Sequence, residues 1–140
     1  MSRSDEGSSV PLVLLFFVLA LLLVAGTVAA SAAFLAQRDL QSDCDGAAVV
    51  AANALDAAGF YGSDRAGDAL PLAVGGAQAA VDRYAADAGL GSTSFAVTVD
   101  DSRALVACAR MVPVPFGAAF GYSQGLRRTA VSEARSPYAP

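Results

Sequence analysis

The sequence predicts an α+β protein. A long N-terminal transmembrane helix should continue into a soluble amphipathic half, followed by a second short helix and a small antiparallel sheet of about three strands. The run from Val10 to Ala36 contains no charged side chain. Apolar residues then recur at steps of three and four as far as Ala58, the period of a helix with one buried face. From Ser94 onward the period changes to two, which is typical of strands.

The charge-free run is the predicted transmembrane helix, residues 10–36, and residues 1–9 are its leader. At 1.5 Å per residue the run makes a helix of ~40 Å, which exceeds the ~30 Å of hydrocarbon in a bilayer. A cleaved export signal is the competing interpretation, because Ala30-Ser31-Ala32 fits the small-x-small cleavage pattern. A retained anchor is favoured because the apolar core is longer than that of a usual signal peptide and the leader carries acidic residues.

Small residues recur in the second half of this run and predict a face on which another helix can pack. Small side chains at every fourth position let helix backbones approach closely in lipid. The alternative is that alanine is simply common in this chain. The predicted helix-packing residues are Ala25, Gly26, Ala29, Ala30 and Ala33.

The remainder of the chain is predicted to form one extracytoplasmic domain, residues 37–135, before a disordered tail. Gly59 is expected to end the first helix, because glycine is common just past helix C-termini. For the same reason Gly89 or Gly91 is expected to end the second helix. The expected bounds are 59–76 for the linker, 76–88 for the second helix and 136–140 for the tail.

Three strands are predicted from alternation and turn chemistry. Asp100-Asp101-Ser102 is typical of a turn between the first two strands. Pro113 and Pro115 are expected to end the second strand, because proline cannot donate to a ladder. The expected strands are 94–99, 104–112 and 126–134.

An apolar, aromatic segment with glycines connects the last two predicted strands. Two interpretations stay open. The aromatic side chains either fold back onto the sheet and fill a small core, or form an exposed contact for a partner subunit or for lipid. The candidate contact residues are Phe116, Phe120 and Tyr122.

Composition excludes several classes of function. The net charge is −4, and the chain contains no histidine and no lysine, so it lacks the basic patch that nucleic-acid binding needs. The same absences remove an imidazole base, a histidine metal ligand, Schiff-base chemistry and a P-loop lysine. Asp43-Cys44-Asp45-Gly46 resembles the start of a calcium loop, but the later ligands are missing. We expect a non-enzymatic protein without cofactor or metal.

Two cysteines, Cys44 and Cys108, both follow the apolar run. A cysteine pair in an exported domain indicates a disulfide, and closing a loop of this length contributes ~4 kcal/mol in the chain-entropy model. The alternative is a pair of buried free thiols in a cytosolic domain. The disulfide is favoured because a small, glycine-rich domain with a thin core benefits from a covalent link. It is also the main reason for placing the domain outside the cell membrane.

The layout resembles the TadE/TadG-like minor pilins of Tad (Flp) pilus systems. One stretch that carries the resemblance is the leader ending in Glu6-Gly7, the apolar helix, Gln37-Arg38-Asp39-Leu40-Gln41 and the alanine-rich run 45–52. The other is Val112-Pro113-Val114-Pro115-Phe116-Gly117 with the last strand, 129–135. The resemblance implies a single-pass protein of the cell membrane that contacts lipid, other pilin-like subunits and the pilus assembly machinery, and can enter a surface pilus.

The resemblance also implies a candidate processing site. Prepilin-type cleavage after Gly7 would make Ser8 the first mature residue. The usual partner of a neighbouring subunit's new amino terminus is a glutamate five residues after that glycine. Leu12 occupies that position in this chain, so the sequence departs from the pattern that cleavage and subunit registry require.

Two other functions fit parts of the sequence. The first is a small secreted binding protein with a cleaved signal peptide. The second is a stand-alone single-pass membrane protein with a small scaffold domain. The mature amino terminus separates the cases: Met1 or Ser2 without processing, Ser8 after prepilin-like cleavage, and Ala33 after signal peptidase.

Overall fold

The fold is α+β, with two helices followed by a three-stranded antiparallel sheet, as the sequence predicts. The computed structural model describes residues 9–61, 69–100, 103–115 and 117–135. The elements are α1 (Val10–Tyr61), α2 (Ala69–Asp87), β1 (Thr93–Asp100), β2 (Arg103–Val112), a 3₁₀ turn (Gly117–Phe120) and β3 (Leu126–Arg135).

α1 is one continuous helix of 52 residues, ~78 Å long at 1.5 Å per residue. It contains both the apolar run and the amphipathic stretch that follows. It passes through Gly59, where the sequence predicts its end, and finishes at Tyr61.

α2 is longer than predicted, because it begins at Ala69 and not at Gly76. The linker predicted over 59–76 is therefore wrong in its extent. Pro71 is compatible with this early start because it lies in the first helical turn, where its missing N–H has no intrahelical partner to lose. The predicted end is confirmed at Gly89, which has φ +69°. Leu90 N–H donates to Ala85 O at 2.8 Å, closing a Schellman turn.

The sheet has the order β1-β2-β3, and both strand pairs are antiparallel. The register aligns Phe95, Cys108 and Ala130 across the three strands. Alternation decides which side is covered: Ala104 and Val106 are buried, while Leu105 between them and its partner Glu133 are exposed. One face of the sheet therefore packs on the helices and the other faces outward.

The core lies between that inner face and the second half of α1. The α1 residues at the contact are mostly alanine, and small side chains let helix and sheet approach closely while burying little apolar area per residue. Gly46 serves a close approach, because a Cβ there would lie 3.1 Å from Tyr84 Cζ of α2 and nearer still to its hydroxyl. The fully or nearly fully buried apolar residues are Leu40, Cys44, Ala47, Ala48, Ala51, Ala52, Ala77, Val81, Ala104, Val106, Cys108 and Ala130.

Candidate assembly surfaces

The first half of α1 is an exposed apolar surface. Its large side chains from Val10 to Leu35 are between 46% exposed at Leu19 and 71% exposed at Leu23. In the described part of the chain, α1 is the helix that is long and apolar enough to cross a membrane. Exposing such a surface to water raises the free energy, and transferring it into the hydrocarbon of a bilayer lowers it.

The small residues predicted for helix packing lie on the side of α1 that carries the sheet. Ala29 and Ala33 are separated from Leu40, Cys44 and Ala47 by multiples of about 3.6 residues, so all five share one helix face. A Cβ on Gly26 would meet no atom within 4 Å, so there is open space beside the helix at this level. A helix that packs here would lie directly below the sheet domain. The packing role itself stays a prediction.

A disulfide joins Cys44 of α1 to Cys108 of β2, as predicted, with 5.9 Å between the two Cα atoms. Cys44 is fully buried and Cys108 is 2% exposed. Because β2 is the middle strand, this bond fixes the helix to the centre of the sheet. The disulfide thereby holds the β-sheet and the second half of α1, which follows the apolar run, together as one body.

Three glutamine side chains bind the backbone at the two edges of the sheet, a role that the sequence did not predict. On β3, Gln37 Nε2 donates to Thr129 O at 3.0 Å and Gln41 Nε2 to Val131 O at 3.5 Å. The third residue, Gln78, lies at the other edge of the sheet. Like Gln37 and Gln41, it satisfies backbone groups that an edge strand otherwise offers to another chain.

Gln78 of α2 binds the opposite edge, on β1. Its Nε2 donates to Phe95 O at 3.3 Å, and Val97 N–H donates to its Oε1 at 3.1 Å. A shared sequence pattern could have indicated two of these residues: Gln41 also donates to Asp45, and Gln78 to Asp82, both at 2.9 Å and both four positions on.

The contacts of α1 with β3 show how the sheet is oriented. Four residues along α1, from Gln37 to Gln41, correspond to two residues along β3, from Thr129 to Val131. Both steps measure about 6 Å, so β3 runs along α1 in the same direction. The β2–β3 connection therefore lies at the end of the sheet nearest the apolar half of α1, which we call the proximal end.

Arg110, near the proximal end of β2, binds two residues of α1. Its guanidinium lies 3.4 Å from the Asp43 carboxylate and donates to Ala36 O at 3.4 Å. Both side chains of the ion pair are largely buried, at 19% and 24% exposure. The contact with Ala36 O lies at the last residue of the apolar run, residues 10–36.

The described part of the β2–β3 connection, residues 113–115 and 117–125, is compact. Tyr122 N–H donates to Gly117 O at 2.7 Å. A Cβ on Gly117 would lie 2.7 Å from Tyr122 O, so glycine permits this fold. Gly125, with φ +81°, leads the chain into β3. Tyr122 is 53% exposed, and an open cavity of about 350 Å³ lies between it, Met111 and Pro113.

Several predicted residues lie outside what the structure describes. Gly7 and Ser8 of the candidate processing site are among them, as are Phe116 and the tail at 136–140. Phe120 belongs to the 3₁₀ turn, but its side chain is outside the description. Whether these aromatic residues fill the core or contact a partner stays untested.

Among the described residues, no group of three or more His, Cys, Asp or Glu side chains is placed to hold a metal ion. The expectation of a non-enzymatic protein without cofactor is not tested by this geometry and stays a prediction.

Comparison with known families gives a match over part of the chain. Residues 7–58 match the family described as Flp pilus-assembly TadE/G-like. The resemblance seen in the sequence is thereby confirmed over those residues, which include nearly all of α1. Comparisons with curated proteins and with solved structures find no match.

Proposed function

Since residues 7–58 carry the pattern of the TadE/G-like Flp pilus-assembly family, we propose that this protein is a membrane-anchored, pilin-like component of a Tad (Flp) pilus or a related secretion apparatus. The observation that carries the proposal is the coincidence of the matched residues with α1. The family pattern falls on the helix whose first half is exposed and apolar and whose second half carries the domain.

In this proposal the apolar half of α1 anchors the chain by a single pass through the cell membrane. The domain, residues 37–135, is extracytoplasmic, and its disulfide supports that side, because disulfides persist in oxidising compartments. Structural rigidity is what an assembly subunit needs, and the covalent link supplies it between helix and sheet. No chemistry is assigned to the domain, which acts by contact and not by catalysis.

Side-by-side packing of α1 with other pilin-like subunits is the proposed assembly step. The face of Ala25, Ala29 and Ala33 supports it, because small side chains let helices approach in lipid, where apolar burial supplies little driving force. The anchor would hold the subunit in the membrane until this packing draws it into the assembly. Tyr122 and the two phenylalanines of the same segment stay a candidate second contact, for a partner subunit or for lipid.

Photo-crosslinking in intact cells tests the helix contact. A photoreactive amino acid at Ala29 is expected to crosslink to pilus subunits. The same amino acid at Ser31 is the matched control, because it lies at the same depth on the opposite side of the helix. Equal crosslinking from both positions, or none to a pilus component from Ala29, would contradict the proposal.

Mass spectrometry of the mature amino terminus separates the alternatives. Met1 or Ser2 indicates a retained, unprocessed anchor, and Ser8 indicates prepilin-type cleavage despite Leu12. Either result supports membrane retention. A terminus at Ala33 would instead indicate a secreted protein and would remove the anchor on which the proposal depends.

A further inference from the structure

We infer that the β2–β3 segment, residues 113–125, rests on the lipid headgroup region and gives the domain a second contact with the membrane beside α1. This inference depends on the proposed membrane anchoring. The partner to which it commits is a bilayer surface and not another protein.

The position of the segment is the first argument. Gln37 of α1 bonds to Thr129 of β3, and β3 runs along α1. From Thr129 back to Leu126, the first residue of β3, the strand covers about 10 Å, or about seven helical residues. Leu126 and its partner Val112 therefore lie at about the level of Ala30, and the segment between them begins and ends at that level.

The depth of the bilayer gives the second argument. About twenty helical residues span the hydrocarbon, so if it begins at Val10 it ends near Ala29. The charge-free run continues to Ala36, beyond the far side of the hydrocarbon. Residues 30–36 would then cross the headgroup region, and this is the level that the β2–β3 segment shares.

The composition of the segment fits that region. No charged residue occurs from Met111 to Leu126. Tyr122 and Met111 are both about half exposed, at 53% and 52%, and Pro113 and Ala118 are exposed as well. Tyrosine is enriched at membrane interfaces, where its ring lies against the acyl boundary and its hydroxyl stays hydrated.

Charged residues flank the segment where headgroup phosphates would lie. At the start of β3, Arg127 is exposed and Arg128 is half-buried. On α1, Arg38 is exposed two residues after Ala36. Arginine at the end of an apolar stretch favours the interface, since its stem packs on apolar surface while its guanidinium reaches phosphate. The protein is acidic overall, and exposed Asp39 follows Arg38 in α1. The positive charge at this level therefore comes from Arg127 and Arg128 of β3.

A tryptophan probe tests the contact, because the natural chain contains no tryptophan. Full-length Tyr122→Trp protein is reconstituted in phosphatidylcholine vesicles, with and without lipid brominated on the acyl chain close to the headgroup. We expect a blue-shifted emission that loses most of its intensity with brominated lipid. Leu105→Trp is the matched control, because Leu105 is exposed on β2 about 23 Å further from the proximal end. Its emission should be insensitive to the bromines.

Two more variants keep the outcome decisive. Phe17→Trp reports the anchor itself, and its quenching shows that α1 is in the bilayer. Quenching of Phe17→Trp without quenching of Tyr122→Trp would overturn the inference and leave the anchor intact. Absence of quenching at both positions would refute the anchor, and with it the inference that depends on it. Adding Ala118→Glu to Tyr122→Trp should weaken its quenching. Protection of Tyr122→Trp from aqueous acrylamide without quenching by brominated lipid would indicate a protein contact instead and would also overturn the inference.

Discussion

Gly46→Ala is expected to destabilise the domain even though the substitution favours a helix. Gly46 lies inside α1, where alanine is better than glycine by about 1 kcal/mol. A Cβ at this position would lie 3.1 Å from Tyr84 Cζ and closer to the hydroxyl oxygen, so Tyr84 must move. The Tyr84 ring packs against the buried core, so moving it loses that packing, and overpacking of this kind costs about 1–3 kcal/mol. The cost outweighs the helical gain, and the expected net loss is about 1 kcal/mol.

Removing the Tyr84 ring should reverse the sign of the stability change caused by Gly46→Ala. In a Tyr84→Ala background the ring is absent, so Gly46→Ala should stabilise the domain by its helical gain of about 1 kcal/mol. The coupling between the two positions is then about 2 kcal/mol, within the range found for residues in contact. Gly75→Ala is the matched control in the wild-type background: Gly75 lies inside α2, and a Cβ there meets no atom within 4 Å. It should stabilise directly.

Native-state hydrogen exchange of the β2 amides in full-length, micelle-bound protein measures these differences, because it reports the stability of the domain separately from that of the apolar helix. The decisive comparison is the sign of the stability change that Gly46→Ala causes in the wild-type and in the Tyr84→Ala background. A gain of stability in both, equal to that of Gly75→Ala, would show that Tyr84 does not limit the approach of α2 to α1, and the packing argument would be refuted.

Two further predictions follow from the disulfide and the sheet edge. Cys44→Ala combined with Cys108→Ala should lower the unfolding free energy by ~4 kcal/mol, the value for a cross-link spanning 64 positions. Denaturant unfolding measures it, and a reductant should destabilise the wild type but leave the double variant unchanged. Gln78→Ala should cost about 2 kcal/mol, since it removes two hydrogen bonds to β1, and should expose an edge that promotes self-association on size-exclusion chromatography. Gln124→Ala, an exposed glutamine outside the sheet edges, should change neither property.

The elements were predictable where one periodic signal dominates. The charge-free run followed by a repeat of three and four made α1 visible, and strict alternation made Val106 and Cys108 identifiable as one face of a strand. The start of α2 was not predictable in the same way. Pro71 and the Gly75-Gly76 pair are individually typical of a linker, yet in the structure the proline lies in a first turn and the glycines are exposed, where each costs only its helical propensity.

The contacts that position the sheet could not be read from the sequence. Gln37 and Gln78 bind backbone atoms of strands about ninety and twenty positions away, and no local pattern specifies such partners. The reason for a glycine at position 46 could not be read from the sequence either, because it lies in Tyr84 on another element. The disulfide was predictable for a different reason: with two cysteines in the chain, only one pairing exists.

The shared face of α1 connects the two proposals. Leu40, Cys44 and Ala47 hold the sheet on the same side of the helix as the small residues 25, 29 and 33, so a neighbouring helix packed on those residues would lie beneath the domain. The β2–β3 segment occupies the proximal end of that domain. If both proposals hold, lipid under the segment and a neighbouring subunit's helix compete for one space. Assembly would then exchange a lipid contact of Tyr122 for a protein contact, and quenching of Tyr122→Trp by brominated lipid should fall as pilus subunits are added to the same vesicles, while quenching of Phe17→Trp falls less.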